Sequence, residues 1–304
     1  DAVKTLEKAI ELDPGFAMAY FYLAFTHQSL GNVQASNEAL EKAKALASKV
    51  TERERLYIEA LYAGVIERNF DARMRLLEEL IQKYPREKTA HYWLGVFYRT
   101  LGNYEKAIEE TNKALELSPD DAQIHNDLGY TYLALRNFDK AVEHFEKYAS
   151  LNPKDANPLD SLAEAYFLMG KLDEAIAKYK EALAVERSFL TSNYCIAYIY
   201  ALKENPAEVM AWMETFITQA PSAGWKGWGY AFKWFYQCGL GSQDKSLDNL
   251  KKAEEMLGSA GDVPGKASID WIKAFLYIDK GKFDLAGFCV GLVDRAKIID
   301  GRRC

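Results

Sequence analysis

Only four of the 304 residues are cysteine, Cys195, Cys238, Cys289 and Cys304, far apart and with no C-x-x-C pair among them. That excludes a disulfide framework and a thiol redox motif as organising features, and it fits a reduced, cytoplasmic setting. No stretch comes near the roughly 18 consecutive apolar residues that a spanning helix needs, so membrane insertion is not expected. Positive charge is also thin. The 38 Lys and Arg are outnumbered by 44 Asp and Glu, the formal net charge is −6, and the two signs interleave along the chain. With no basic stripe to neutralise phosphates, nucleic acid is not expected as the main partner.

Constellations that carry chemistry are scarce as well. Of the four histidines, His91 and His125 recur at one repeat position whose counterparts are Tyr20, Tyr57 and Leu159, which marks a packing slot, and His144 beside Glu143 and Glu146 reads as a surface residue. No carboxylate or second histidine stands at metal-ligand spacing from them. No Ser/His/Asp or Cys/His arrangement and no carboxylate pair in an apolar run is found. The segment Gly261 to Ser268 resembles a phosphate-binding loop, but it has three residues between its glycines where that motif needs four, and it follows a helical stretch instead of a strand. Gly239 to Lys245 reads as a lengthened hairpin turn. The expectation is a chain without metal, cofactor or catalytic activity of its own.

What the chain does have is a repeat. Pro85, Pro119 (119 − 85 = 34) and Pro153 (153 − 119 = 34) keep one spacing, and Leu94/Leu128/Leu162, Gly95/Gly129/Ala163, Tyr98/Tyr132/Tyr166 and Ala107/Ala141/Ala175 keep the same register between them. Within a unit, apolar residues recur three and four apart, stop at a turn such as Gly102-Asn103, and recur again, which predicts two amphipathic helices in a hairpin. Small residues at 95, 129 and 163 and at 107, 141 and 175 let the two helices approach closely. Each proline ends a second helix, and Asp121 or Asp155 is placed to cap the next one.

These residues resemble the tetratricopeptide repeat (TPR) family, and the resemblance extends over nearly the whole chain. It implies an all-α, right-handed α-solenoid superhelix, read here as a single array over 1–304. Residues 1–14 match the second helix of a repeat whose first helix is missing. Repeats follow near 17–50, 54–87, 88–121, 122–155, 156–189, 190–223, 224–265 and 267–300. Three extra residues precede Thr51, which has capping-box spacing to Glu54. Pro206 opens a second helix, where its missing N–H costs nothing.

In TPR arrays the first helices line a concave groove, and the resemblance places particular positions there. In the first half these include Phe21, Phe25, Tyr62, Tyr92, Arg99, Asn126 and Tyr130. In the second half they include Asp160, Glu164, Tyr194, Tyr198, Trp225, Trp228, Phe232, Phe235, Trp271 and Phe275. The groove is expected to be polar at its centre and aromatic at both ends, with the aromatics as anchors for a protein or peptide partner. Self-association through the same face is the other expectation. The family version that grips C-terminal carboxylates with two asparagines and three basic residues has no counterpart here, because its positions hold Phe21, Phe25, Glu59, Arg55, Asn126, Asp127 and Asp160. The run from His125 to Ile176 also resembles TPR regions of bacterial signalling proteins, such as kinases, cyclases and transcription regulators. That resemblance implies the alternative of a regulatory segment binding an internal stretch or an apolar small ligand.

Overall fold

A computed structural model describes residues 2–239, 243–262, 265, 268 and 269. The repeat expected over 267–300, including Trp271 and Phe275, lies almost wholly outside the described residues. Among the described residues there are helices and turns and no strand. Helix α1 (Ala2–Leu12) is the lone second helix expected at the start. The others alternate as first and second helices of hairpins: α2 (Ala17–Ser29) and α3 (Val33–Leu46), α4 (Glu52–Val65) and α5 (Phe70–Lys83), α6 (Lys88–Thr100) and α7 (Tyr104–Leu117), then α8 (Ala122–Ala134) and α9 (Phe138–Leu151). They continue with α10 (Asn157–Leu168) and α11 (Leu172–Val185), α12 (Leu190–Leu202) and α13 (Pro206–Gln219), α14 (Ala223–Gly239) and α15 (Gln243–Ser259). The three residues that interrupt the spacing before Thr51 form one 3-10 turn, Ala47–Lys49, and Thr51 and Glu54 then close a reciprocal capping box on α4.

The chain divides into two compact units between Asn137 and Phe138, inside the 122–155 repeat, at a point where the periodicity of the sequence shows no break. In the first unit α2, α4 and α6 pack on α3, α5 and α7, and each second helix also packs on the next first helix. The second unit repeats this with α10, α12 and α14 on α11, α13 and α15. Within each unit the helices thus touch their chain neighbours, the nearest-neighbour stacking of an α-solenoid.

The turn inside each hairpin explains part of the period. One residue per turn adopts a left-handed conformation: Gly31, Arg68, Gly102, Arg136, Gly170 and Glu204, with φ between 53° and 76°. The N–H of the next residue then reaches back to the first helix, as from Asn103 to the Tyr98 carbonyl and from Lys171 to the Tyr166 carbonyl, both at 2.9 Å. This is the Schellman closure. Glycine meets the requirement in three turns, and Arg or Glu accepts the strain in the other three.

Small residues sit at the closest contacts. A Cβ on Gly95 would stand 2.1 Å from Thr111 Oγ1 and 3.1 Å from the Ala107 carbonyl oxygen. The histidine slot is buried, as its register implies. His91 Nε2 lies 3.1 Å from the Pro85 carbonyl and His125 Nε2 lies 3.0 Å from the Pro119 carbonyl, so the same contact recurs one repeat on. His91 Nδ1 also meets Glu110 Oε2 at 2.6 Å.

In the second unit, α14 is covered on two sides. A Cβ on Gly227 would meet Leu257 of α15, and one on Gly229 would meet Ile217 and Phe216 of α13, each at 2.7 Å. Asp262, in the stretch that resembles a phosphate loop, ties to this helix. Asp262 accepts from Trp228 Nε1 at 3.2 Å and from the Gly265 N–H at 2.9 Å.

Candidate functional site

The first helices of the first unit bring their N-terminal halves together around a groove of about 540 Å³. One wall is aromatic and comes from α2. Phe16, Tyr22 and Phe25 are exposed, and beneath them Phe21 is only 3% exposed. Trp93 of α6 extends this wall: its ring lies 6.2 Å from both Phe21 and Phe25 and meets Tyr57 of α4 edge-on at 5.8 Å. Behind it, the Arg73 guanidinium lies 5.7 Å from the Trp93 ring centre.

The opposite wall is polar. Arg53 donates to Glu87 at 3.1 Å, and Tyr57 donates to the other oxygen of the same carboxylate at 2.8 Å. Lys88 donates to Asp121 at 2.8 Å, while Asp121 caps α8 by accepting from the Gln123 and Ile124 N–H groups. Within α8, Asp127 accepts from Tyr92 at 2.7 Å, from Gln123 at 3.1 Å and from Arg99 at 3.2 Å.

These contacts set the ionisation of the wall. Burial pushes the Tyr57 phenol far above its ordinary range, and the hydrogen bond and charge of Glu87 add to the shift. Tyr92 moves the same way through burial and the Asp127 charge. Burial alone would raise Asp121, but the Lys88 hydrogen bond and the backbone N–H groups outweigh it and hold the carboxyl below its usual value. Both phenols therefore stay protonated, and Asp121 stays ionised, across the physiological range.

Of the groove residues expected from sequence in this unit, Phe25 stands open to solvent, and Tyr92 and Arg99 are half-buried on the polar wall. Phe21 lines the groove from beneath, at 3% exposure. It is a core residue forming the groove floor, because Tyr57 and Trp93 close over it. Tyr62 is half-buried and turned toward α3, donating to Glu41 at 3.1 Å with Lys44 over its ring. Asn126 and Tyr130 are half-buried on α8, and the Asn126 Oδ1 is buried without a hydrogen-bond partner.

In the second unit the aromatics serve mainly as packing. Trp228 is half-buried and tied to Asp262, and Phe232 is wedged 4.6 Å from Tyr194 and 6.0 Å from Phe216. Phe235 meets Tyr236 edge-on at 5.3 Å. Trp225, at 38% exposed, and Tyr198, edge-on to Phe167, keep open surface. Asp160 is half-buried and accepts from Ser192 at 2.8 Å. Glu164 is a correction, since it is buried and offers a partner no open surface.

Sequence reasoning missed Tyr22, Arg53, Glu87, Lys88, Trp93 and Asp127. Three of these could have been found. The position five residues after each unit's start holds Tyr22, Glu59, Trp93 and Asp127, a slot whose chemistry changes from repeat to repeat and which no shared packing role can fill.

The described residues contain no group of three His, Cys, Asp or Glu able to hold a metal ion, and no helix long and apolar enough to cross a membrane. Residues 95–136 and 163–203 match the TPR repeat family, and residues 122–155 and 5–41 match two further tetratricopeptide repeat families. The chain carries tetratricopeptide repeats. No curated protein matches the sequence.

Among solved structures it is similar to yeast Tom70 (15% identity, TM-score 0.59, covering 94% of this chain and 60% of that one). A tetratricopeptide repeat protein from Parabacteroides merdae is also similar (18% identity, TM-score 0.55, covering 79% and 93%). So is the Cut9–Hcn1 hetero-tetramer of the APC/C (17% identity, TM-score 0.56), where the match covers 72% of this chain and 43% of the other. The chain thus spans less than two thirds of the matched chains in Tom70 and Cut9–Hcn1. At these identities the likeness concerns the fold.

Proposed function

We propose that this chain is a non-catalytic scaffold that binds an extended peptide or protein segment in the groove of its first unit. The observation that carries the reading is the cluster of Phe16, Tyr22 and Phe25, three large rings left exposed along one side of a groove whose other side is hydrogen-bonded and rigid. Aromatic rings offer a large rigid contact area at low entropic cost, and such residues dominate binding energy where they fill a partner's pockets. Hydrogen-bonded Arg53, Lys88, Tyr92 and Asp127 hold the facing wall in place, so a bound chain would meet a largely preformed surface.

The experiment is a selection of linear peptides from a random library on the full chain, followed by binding to a Tyr22→Ala, Phe25→Ala variant. Peptides that bind the parent chain and lose at least tenfold in affinity on the variant, at unchanged helix content, are expected. Peptides that hold both proteins equally, or a selection that yields none, would contradict the reading.

A further inference from the structure

The groove is one cation short, and it has open rings that could receive one. Its lining carries three carboxylates, Glu54, Glu87 and Asp121, against two cations, Arg53 and Lys88. Both cations are engaged by two of the three: Arg53 pairs with Glu87 at 3.1 Å and Lys88 with Asp121 at 2.8 Å. Counting Asp127 and Arg99, which pair with each other beside the Tyr92 hydroxyl, leaves the balance as it was.

Glu54 is the carboxylate left over. It forms no ion pair among the described residues. Its carboxylate accepts from the Thr51 N–H at 3.0 Å and from the Thr51 hydroxyl at 2.7 Å, and both bonds end on Oε2. Oε1 receives none. The two Thr51 bonds hold the carboxyl below its usual range, so Glu54 is an anion at neutral pH.

The rings of the first unit are a second, independent sign. Several already carry a cation of the chain itself: Arg73 lies 5.7 Å from the Trp93 ring centre, Lys44 5.5 Å from that of Tyr62 and Lys106 5.2 Å from that of Tyr98. A ring face attracts a cation within about 6 Å of its centre. Among the described residues no cation stands over Phe16, Tyr22 or Phe25, the exposed rings that line the groove.

From this we infer that the groove selects an extended peptide segment carrying an arginine beside an apolar side chain. The guanidinium lies on an open ring of the aromatic wall with its charge answered by Glu54, and the apolar side chain packs on the remaining rings. Arginine suits such a site better than lysine, because a guanidinium is planar, stacks on ring faces and is more weakly hydrated than an ammonium. An acidic segment would add like charge to a lining already in carboxylate excess, and the chain's net charge of −6 runs in the same direction.

This inference rests on the proposed use of the groove, and its test separates the two. Random linear nonapeptides, acetylated and amidated so that no terminal charge stands in for a side chain, are selected on the full chain. The tightest binder is remade with citrulline for arginine, which keeps the shape and removes the charge, and with glutamate. Each peptide is titrated by fluorescence anisotropy against the parent chain and against Glu54→Gln, in which glutamine still offers Thr51 an acceptor and the capping box is kept. Arginine is expected to be enriched among the selected peptides. Citrulline should weaken binding roughly tenfold, the worth of one ring contact and one charge-assisted contact together, and glutamate should weaken it further. The gap between arginine and citrulline should narrow on Glu54→Gln at unchanged helix content. Selected peptides without arginine, a citrulline peptide that binds as well, or a gap that Glu54→Gln leaves unchanged would each overturn this inference. If those peptides still lose affinity on Tyr22→Ala, Phe25→Ala, the groove itself stands. A library that yields no binder overturns both.

Discussion

Phe25 and Trp93 stack with ring centroids 6.2 Å apart and planes 23° from parallel, although α2 and α6 belong to hairpins separated by a complete repeat. Trp93 reaches past α4 to make this contact, and Phe21 and Tyr57 fill the space beneath it. A side chain that bridges three repeats couples their stability beyond nearest-neighbour stacking. Trp93→Ala should therefore cost about 3 to 5 kcal/mol, the usual range for emptying a large aromatic site. Phe25→Ala, on the exposed side of the same stack, should cost no more than about 1.5 kcal/mol, the value of an aromatic pair beyond its burial. Urea denaturation followed by far-UV circular dichroism measures both, and equal losses would show that the bridge carries no special weight.

Gly95 is set by contact with the second helix of its own hairpin. Alanine would gain roughly 0.5 to 1 kcal/mol of helix propensity. Against that, its methyl group would stand 2.1 Å from Thr111 Oγ1. Overpacking of this kind costs about 1 to 3 kcal/mol, so Gly95→Ala should destabilise the chain on balance. Adding Thr111→Ala should restore part of the loss in a double-mutant cycle, since it removes the nearest clashing atom and leaves the Ala107 carbonyl in place. Simple additivity would contradict this assignment.

Glu204 holds a left-handed conformation with φ of 53° at a place where Gly102 and Gly170 stand in other hairpins. A left-handed L-residue costs roughly 1 to 2 kcal/mol, while glycine costs the unfolded chain roughly 0.5 to 1. Glu204→Gly should raise stability by about 0.5 to 1 kcal/mol, and Gly102→Ala should lower it by the same net amount, about 0.5 to 1 kcal/mol. Both shifts can be read in the melting temperature, and their signs decide the matter.

Asp121 gives the array an acid-sensitive joint. Its folded-state value is depressed, with the Lys88 hydrogen bond and the α8 backbone overcoming burial. A depressed carboxyl contributes stability above its unfolded value of about 3.9, and that contribution is lost as pH falls through the lower folded value. Asp121→Ala should cost about 0.5 to 2 kcal/mol at pH 7, the range for losing a helix cap. The gap to the parent chain should shrink below about pH 4. A gap independent of pH would show that the charge on Asp121 contributes nothing.

The hairpins were legible because packing against neighbours repeats the same demand every 34 residues, at Leu94 and Leu128 as at Ala107 and Ala141. The capping box at Thr51, the lone second helix at the start and the histidine slot followed from register alone. The left-handed turns at Arg68, Arg136 and Glu204 did not, since nothing in those side chains announces a conformation that glycine usually takes. The α14 aromatics misled for a physical reason. A helix with rings on several faces can be read as open, but here Gly227 and Gly229 admit α15 and α13 on two sides, and Trp228, Phe232 and Phe235 pack half-buried against the core. Trp93 could be picked out by its variable repeat slot, but its contact with Phe25 two hairpins away could not, because no local pattern records it.

The central claim is that a partner is held on the first unit's groove. Site-directed photo-crosslinking tests it most directly, with a benzophenone side chain placed in turn at Tyr22, which lines the groove, and at Tyr198, which is exposed on the second unit. Each full chain is irradiated with a peptide selected on the parent chain. The account predicts a crosslinked product from the Tyr22 position and none above background from Tyr198. A crosslink from Tyr198 alone, or equal yields from both, would contradict it.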